Sequence, residues 1–282
     1  MMSITLVPQA PPFIVARRIR LCGTTGLSVR WRKALFAMLL GPILLSLGQA
    51  SQAADDQRAQ KVVEGTARLF ASQSSTATVE MQISKEDLQR TIAMQFWSVG
   101  DANILVRILS PSEDAGTAIL KVGGKTWMYL PKANRKVEMP PSMMMTSWMG
   151  SDFTLNDLVN ESRLTNDYDS TTSFEGERDG VTVSEYTLTP KPTAAVVWGK
   201  ITLEVRQSDE MPIWQRYYDE NGTLIRELSF SEYKTVGGRL IPTRLLMRPV
   251  GQGNEQTTIT YENIVFDAKI GPEIFFLSNL KP

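Results

Sequence analysis

Apolar and polar residues alternate in several segments of the chain after residue 75, which is the pattern of strands with one face buried and one face in solvent. In ITLEVR, residues 201–206, Ile, Leu and Val alternate with Thr, Glu and Arg. Similar β-rich runs of about six to ten residues recur. The runs are TATVEMQIS, TIAMQFWS, NILVRILS, TAILKV, TWMYL, VTVSEYTLTP, KITLEVRQ, PIWQRYYD, LIRELSFSEY, LIPTRLLMRP and TTITYENIVF.

Short glycine-containing turn signals separate several of these runs. They are Gly123-Gly124, Asp179-Gly180, Asn221-Gly222 and Gly237-Gly238. Strands that follow one another through such tight turns pair antiparallel. The pattern therefore predicts an antiparallel meander, and because no internal repeat or linker interrupts it, a single domain over residues 54–282.

Two of the runs, TIAMQFW and TWMYL, are apolar or amphipathic on both faces. This predicts a sheet that is covered on one side and also curves around something apolar. Met94, Phe96 and Met128 are therefore candidates for lining an apolar cavity.

Two helices are predicted. The stretch from Asp55 to Gln73 begins with acidic residues, as helix N-termini prefer, and places its apolar residues on one side. The β pattern lapses between Pro140 and Thr172, where TLNDLVNE predicts a short helix with Thr154 as N-cap. Asp157 stands three residues later, in the spacing of a capping box.

A group of methionines and aromatic residues precedes this short helix. The candidates for an adaptable apolar lid are Met143, Met144, Met145, Trp148, Met149 and Phe153. Methionine side chains adapt to irregular apolar partners, and a segment rich in Pro and Gly without a regular period is typical of a surface loop. The alternative is an ordinary patch of core beneath a loop.

Composition removes most catalytic chemistry from consideration. The chain has no histidine, which is the commonest general base and metal ligand, and its single cysteine, Cys22, can form neither an intrachain disulfide nor a metal cluster. Its paired carboxylates stand near helix starts or turns, where acidic residues are common without any catalytic role. We therefore expect no catalytic residue, no metal site and no cofactor, and a protein that is not an enzyme.

The N-terminal 53 residues are predicted to be an extension followed by a secretory signal. Arg30, Arg32 and Lys33 precede an apolar run from Ala34 to Leu47, and small residues follow, so we expect cleavage after Ala53. The run is shorter than the roughly 20 residues that span a bilayer. The alternatives are an uncleaved anchor and a translation start downstream, near Val29.

Export to the periplasm would also change the charge of the protein. The whole chain has 30 basic and 30 acidic residues, and residues 1–53 contain six basic residues and no acidic one. The remaining chain is therefore acidic, at about −6, whereas nucleic-acid binding needs a basic surface. We expect no nucleic-acid partner.

Several segments together are similar to the LolA-like family of outer-membrane lipoprotein-sorting proteins. The most specific is KTWMYLPKANRKVEMP followed by SWMGSDFTLNDL, which resembles that family's W-x-Y-L-P strand, basic segment and G-S-D-F-x-x-x-D-L turn. YKTVGGRLIPTRLLM and PEIFFLSNL resemble its later glycine turn and its C-terminal end. The resemblance covers roughly residues 54–282.

The resemblance implies a mainly β fold with some α (α+β): an incomplete antiparallel β-barrel, or half-barrel, around an apolar cavity and beneath a helical lid. Within it, the motif residues Gly150, Ser151, Asp152, Thr154 and Asp157 are expected to be structural. They would form a tight turn and cap the short helix, beside the adaptable apolar lid.

The resemblance also implies a periplasmic carrier that binds acyl chains of lipoproteins or lipids and shuttles them between envelope membranes. Lipoprotein or lipid cargo would be its partner, with an inner-membrane transporter and an outer-membrane acceptor as further candidates. The alternative is an acyl-ligand-binding sensor or an accessory protein of a membrane lipid transporter. The sequence does not separate these two functions.

Overall fold

The computed structural model describes residues 41–159, 164–194 and 196–281, with side chains from residue 54 onward. By its contacts the chain divides into two compact units, Met1–Gly48 and Gln49–Pro282. Of the first unit only the backbone of residues 41–48, which is helical, is described. The basic residues of the predicted signal and its apolar run up to residue 40 lie outside the described residues. The boundary proposed after Ala53 falls within a helix and stays a prediction.

Within the described residues, thirteen strands form one antiparallel sheet, and three α-helices accompany it. The helices are α1 (Gly41–Ala67), α2 (Leu155–Val159) and α3 (Leu164–Asp167). The strands are β1 (Ser74–Ser84), β2 (Gln89–Val99), β3 (Asn103–Ser110), β4 (Ala118–Val122), β5 (Lys125–Leu130), β6 (Arg135–Glu138), β7 (Tyr168–Arg178), β8 (Val181–Pro190), β9 (Lys200–Arg206), β10 (Pro212–Tyr218), β11 (Leu224–Val236), β12 (Arg239–Pro249) and β13 (Gln256–Phe266). Short 3-10 helices occupy Pro141–Met143, Pro272–Phe275 and Leu277–Leu280.

The strand order is β6-β5-β4-β3-β2-β1-β13-β12-β11-β10-β9-β8-β7. It consists of two meanders, β1 to β6 and β7 to β13, joined where β1 pairs with β13. The sheet is not closed, so β6 and β7 are its two edges. The predicted incomplete β-barrel with a helical lid is confirmed.

This strand order explains why the lid lies where it does. β6 ends at one edge of the sheet and β7 begins at the other, so the chain between Glu138 and Tyr168 has to cross from edge to edge. That crossing carries the methionines, α2 and α3. Several of their apolar side chains, among them Met144, Leu155 and Val159, belong to or pack against the same core cluster as the inward-facing residues of the sheet.

The inward face of the sheet forms the main core together with the helix that precedes it. Ala59, Val62 and Val63 of α1 are buried against residues such as Val79 and Met81 of β1. α1 ends at Ala67, earlier than the predicted end at Gln73, and the chain turns there into β1. No helix in the described part of the chain is long and apolar enough to cross a membrane.

A smaller core covers part of the outer face. Phe275 and Leu280, from the C-terminal 3-10 helices, pack on Leu105, Leu120 and neighbours from β3 to β5. The C-terminal 3-10 helices thus pack on the outer face of β3 to β5, while the lid and α1 pack on the inward face of the sheet.

Three of the four predicted turns, at residues 123–124, 179–180 and 237–238, have positive φ at both central residues, and in the fourth only Gly222 does. Asp179 and Gly180, between β7 and β8, both have positive φ, at 51° and 78°. Positive φ at both central residues is the requirement of the type I′ hairpin turn, which suits the twist of the strands. The turn therefore favours the antiparallel pairing of β7 with β8.

Candidate functional site

A cavity of about 420 Å³ lies between the inward face of the sheet and the edge-to-edge crossing. Its volume falls in the range of about 300–1,000 Å³ that is usual for small-molecule sites. Strands β1, β2 and β9 to β13 supply one wall. The wall residues are Val79, Phe96, Ile201, Gln215, Tyr217, Leu228, Leu245, Met247, Ile259 and Tyr261.

The opposite wall comes from the crossing and from the loop between β8 and β9. Its residues are Pro141, Met144, Met145, Phe153, Asn156, Asp157, Leu158, Leu164, Asp167, Tyr168, Val196, Val197 and Trp198. Most side chains on both walls are apolar. The cavity can therefore take an apolar ligand of small-molecule size.

The methionine loop, residues 140–149, contributes unequally to this wall. Met144 and Met145 are half-buried and line the cavity, whereas Met143 is 46% exposed and does not. Trp148 is buried in the core, and Met149 packs against that core. The loop is thus neither wholly core nor wholly lid, because its middle faces the cavity and its end is fixed in the core.

The other predicted lining residues also divide. Phe96 of β2 and Phe153 of the crossing line the cavity. Met94 is fully buried in the core, and Met128 is packed against that core from β5; neither lines the cavity.

The turn that follows the methionine loop is held by polar contacts; we call residues 150–159 the anchored segment. It begins at Gly150, whose φ of 81° favours glycine, and a Cβ there would lie 2.7 Å from Leu88 Cδ2. The Ser151 hydroxyl donates to the Phe153 carbonyl oxygen at 3.1 Å. These contacts give the turn one local conformation.

Thr154 and Asp157 form a reciprocal capping box at the start of α2. The Asp157 amide donates to Thr154 Oγ1 at 3.1 Å, and the Thr154 amide donates to Asp157 Oδ2 at 2.7 Å. Each side chain satisfies a backbone donor that the first helical turn leaves unpaired. The helix start is thereby fixed in position.

Asp152 links the anchored segment to the sheet at two points. Its carboxylate lies 2.7 Å from Lys85 Nζ, next to the β1–β2 turn, and accepts a hydrogen bond of 2.7 Å from Thr257 Oγ1 on β13. The carboxylate side chain is only 5% exposed. Contacts of buried charges are screened little by solvent, so they hold the turn firmly.

Arg226 of β11, which the sequence reasoning missed, is the strongest tie between the sheet and the lid. Its Nη1 and Nη2 donate to the two Asp157 carboxylate oxygens at 2.8 Å each, and Nη1 also donates to the Asp152 carbonyl oxygen. The guanidinium lies 4.7 Å from the ring centroid of Trp198 and 4.3 Å from that of Tyr217. It therefore joins the anchored segment, the β8–β9 loop and β10.

The electrostatics of Arg226 favour its charged form. Burial lowers the pKa of the guanidinium, but the Asp157 carboxylate more than offsets this, so the pKa is raised above its usual value. Removing either partner would leave the other charge buried and uncompensated, which is costly.

Sequence reasoning also missed the loop between β8 and β9, where Val196, Val197 and Trp198 line the cavity. The apolar run AAVVW was the available signal, but it has no period that assigns it to a wall. Gly199 ends this loop where a Cβ would lie 2.5 Å from the Asp219 carbonyl oxygen. The close approach explains why glycine stands there.

Comparison with known proteins agrees with this architecture. A family model described as "-like: Uncharacterized protein" matches residues 100–282. Among solved structures, a DUF1329 family protein from Desulfovibrio piger superposes with a TM-score of 0.72 at 21% identity, over 80% of this chain and 99% of that chain. The family model covers more than half of the chain, so the chain belongs to the family that it describes, and its fold is LolA-like. The resemblance seen in the sequence is therefore confirmed.

Two further structures show the same fold. A putative outer membrane lipoprotein-sorting protein domain from Vibrio parahaemolyticus gives a TM-score of 0.71 at 20% identity, covering 80% of this chain and 100% of that chain. A LolA superfamily protein from Nitrosomonas europaea gives 0.66 at 21% identity, covering 78% and 98%. No curated protein matches the chain significantly. At these identities the structures establish the fold alone.

Proposed function

We propose that this LolA-like protein is a periplasmic carrier that binds acyl chains of lipoproteins or lipids and shuttles them between envelope membranes. The single observation that carries the proposal is the apolar cavity of about 420 Å³ between the sheet and the lid. No chemical step is part of this function, and the protein acts by binding and release.

Energetics supports a cavity of this kind for acyl chains. Each methylene moved out of water contributes about 0.8 kcal/mol, so about ten buried methylenes contribute about 8 kcal/mol before the costs of association. An enclosed apolar wall recovers that free energy, and an open barrel with a separate lid still provides a route for release. The solved domain described as a putative lipoprotein-sorting domain has this fold, which fits lipoprotein cargo.

The first test is the content of the cavity. Protein purified from the periplasm is extracted, and the extract is analysed by mass spectrometry for acylated molecules. We expect a co-purified lipid or lipopeptide. Absence of any acylated molecule, together with failure to bind an acyl probe, would contradict the proposal.

A matched pair of variants on β13 assigns binding to the cavity. Ile259 is buried and lines the cavity, whereas Val265 on the same strand is 55% exposed. Ile259→Trp should fill the cavity and abolish binding of an acyl probe, and Val265→Trp should leave binding unchanged.

A transfer assay separates the carrier from an acyl-ligand-binding sensor or a transporter accessory protein. Labelled lipopeptide is placed in donor vesicles, and its arrival in acceptor vesicles is followed with and without the protein. A carrier accelerates transfer in proportion to its concentration. Binding without accelerated transfer would favour the sensor.

A further inference from the structure

Among the described strand residues that line the cavity, one has a side-chain amide and the others are apolar or aromatic. Gln215 of β10 lines the cavity and is only 5% exposed. Its neighbours across the strands are Leu203 on β9 and Leu228 on β11, and both are buried. Because both neighbours are leucines, an apolar residue would be expected at position 215, and an amide there is unusual.

The amide has no hydrogen-bond partner within the part of the chain that the structure describes. Other polar groups of the cavity do have partners: Asp157 binds Arg226, and the Tyr168 hydroxyl donates to the Trp198 carbonyl oxygen at 3.2 Å. The polar atoms of Gln215 are not among the fully buried unpaired atoms, so they are accessible from the cavity that the residue lines. A ligand group placed here would form a hydrogen bond in mainly apolar surroundings, where such a bond is stronger than in water.

The charges around the cavity restrict what that ligand group can be. The acidic residues Asp157 and Asp167 line the cavity, and no lysine or arginine is among its described lining residues. Arg226 lies nearby, but both of its terminal nitrogens are bound to Asp157. A carboxylate or phosphate would therefore find no free cationic partner among the described lining residues, whereas a neutral carbonyl needs none.

We propose that Gln215 is a specificity-determining residue that donates its Nε2–H to the carbonyl oxygen of a neutral acyl ester or amide. The acyl chain then lies along the surrounding apolar wall. This inference rests on the proposed acyl-binding function and deepens it, because the cavity selects chains that are attached to another molecule over free fatty acids and hydrocarbons.

The experiment compares three competitors with chains of matched length. Methyl palmitate, palmitate in its ionised form and heptadecane each displace a fluorescent apolar probe from the purified protein. In the unsubstituted protein we expect methyl palmitate to bind about threefold to tenfold more tightly than heptadecane, as one hydrogen bond provides, and more tightly than palmitate.

Gln215→Leu should remove the preference for the ester over the hydrocarbon and leave the affinity for heptadecane equal or higher. Gln215→Met, which also lacks the amide, repeats the test should the leucine variant fold poorly. Leu245→Met is the matched control, because it alters the wall at another lining residue without a change in polarity. It should retain the ester preference.

The outcomes separate the two proposals. If no competitor displaces the probe from the unsubstituted protein, the acyl-binding function itself fails. If all three bind, but the ratio of ester to hydrocarbon affinity is the same in Gln215→Leu and Gln215→Met, only the role of Gln215 is overturned.

A further pair of ligands distinguishes the two sources of an acyl carbonyl. A diacylated lipopeptide and a phospholipid with the same chains are compared in the same competition. If only one ligand binds more weakly to the Gln215 variants, that ligand is the source of the acyl carbonyl. If both bind more weakly, Gln215 recognises the acyl carbonyl that the two ligands share. If substitution of Gln215 weakens the binding of neither ligand, the inference is overturned.

Discussion

The methionine loop and the anchored segment are consecutive in the chain and lie over the same cavity, but they are held in different ways. The anchored segment is fixed by the pair of Asp157 with Arg226 and by Asp152, which binds Lys85 and Thr257. In the methionine loop, Met144 and Met145 present flexible apolar side chains to the cavity. The anchored segment is held by directional polar contacts, whereas the methionine loop makes apolar contacts that can adjust to a different shape.

This difference matters for a protein that takes up and releases ligands. Directional buried contacts set where the lid lies, and their loss should destabilise the fold. Methionine side chains adjust to the shape of what they cover. Substitutions in the two parts should therefore separate stability from affinity, and the predictions below test that separation.

The largest expected effect is that of Arg226→Met. The variant leaves the Asp157 carboxylate without its bidentate partner, and breaking a buried pair in this way typically costs about 3–5 kcal/mol. Urea unfolding measures the loss of stability. Asp157→Ala should cost a similar amount, more than the 0.5–2 kcal/mol expected of a helix cap alone.

The control for this prediction is an ion pair nearer the surface. Arg216 Nε lies 2.6 Å from Glu227 Oε2, but their side chains are 36% and 27% exposed. Arg216→Met should cost less than about 1 kcal/mol, because solvent screens such pairs. Equal losses of unfolding free energy in Arg226→Met and Arg216→Met would show that the buried pair contributes no more than the surface pair.

The contrast between the two parts also shows what the sequence could predict. The capping box was predicted because Thr154 and Asp157 are three residues apart. Its partner, Arg226, was not predicted, since Arg226 is 69 positions away and the pairing of β11 with β10 and β12 is what brings it inward. Local spacing is visible in a sequence, whereas contacts across the sheet are not.

The strands show the same limit. The two strands that the pattern missed, β6 and β7, are the two edges of the sheet. β7 is largely exposed along its length, and the four residues of β6 include no buried one. Alternation arises from burial of one face, so an exposed edge strand carries little of that signal.

The second prediction concerns the adaptable part. The double variant Met144→Ser and Met145→Ser should weaken binding of an acyl probe by about tenfold or more, because it removes apolar contact from the cavity wall. Its stability without ligand should fall by only about 1–2 kcal/mol, since both residues are half-buried. Probe titration and urea unfolding of the same sample measure the two effects.

Met143→Ser is the matched control, because Met143 belongs to the same run but is exposed and does not line the cavity. Met143→Ser should change neither the affinity for the acyl probe nor the stability without ligand. A stability loss of several kcal/mol in the double variant with affinity retained would show that these methionines are ordinary core.

A smaller effect is expected at the cap of the anchored segment. Thr154→Ala removes the hydroxyl that accepts from the Asp157 amide and donates to its carboxylate at 2.8 Å. The loss should be about 1 kcal/mol, the usual value for an N-cap. Thr154→Ser keeps the hydroxyl and should restore most of the stability, whereas an equal urea midpoint for all three proteins would show that the cap is unimportant.

The smallest expected effect is a pH dependence at Tyr168, where the crossing meets β7. Burial first, and then the charge of Asp167, raise the pKa of the Tyr168 phenol above its ordinary value of about 10. The folded state therefore retains a proton that the unfolded chain releases near pH 10. Its contribution is complete below that pH and is lost as the pH rises from about 10 towards the folded pKa.

Tyr168→Phe should consequently make the decline in unfolding free energy above about pH 10 less steep. It should also cost about 1 kcal/mol at neutral pH, because the hydrogen bond to the Trp198 carbonyl oxygen is lost. The decline should not vanish, since burial also raises the pKa values of Tyr186 and Tyr233. Tyr218→Phe, on β10 beside Lys200 of β9, is the control. If the Tyr168 and Tyr218 variants keep the same slope as the unsubstituted protein, the phenol of Tyr168 is not a source of the pH dependence.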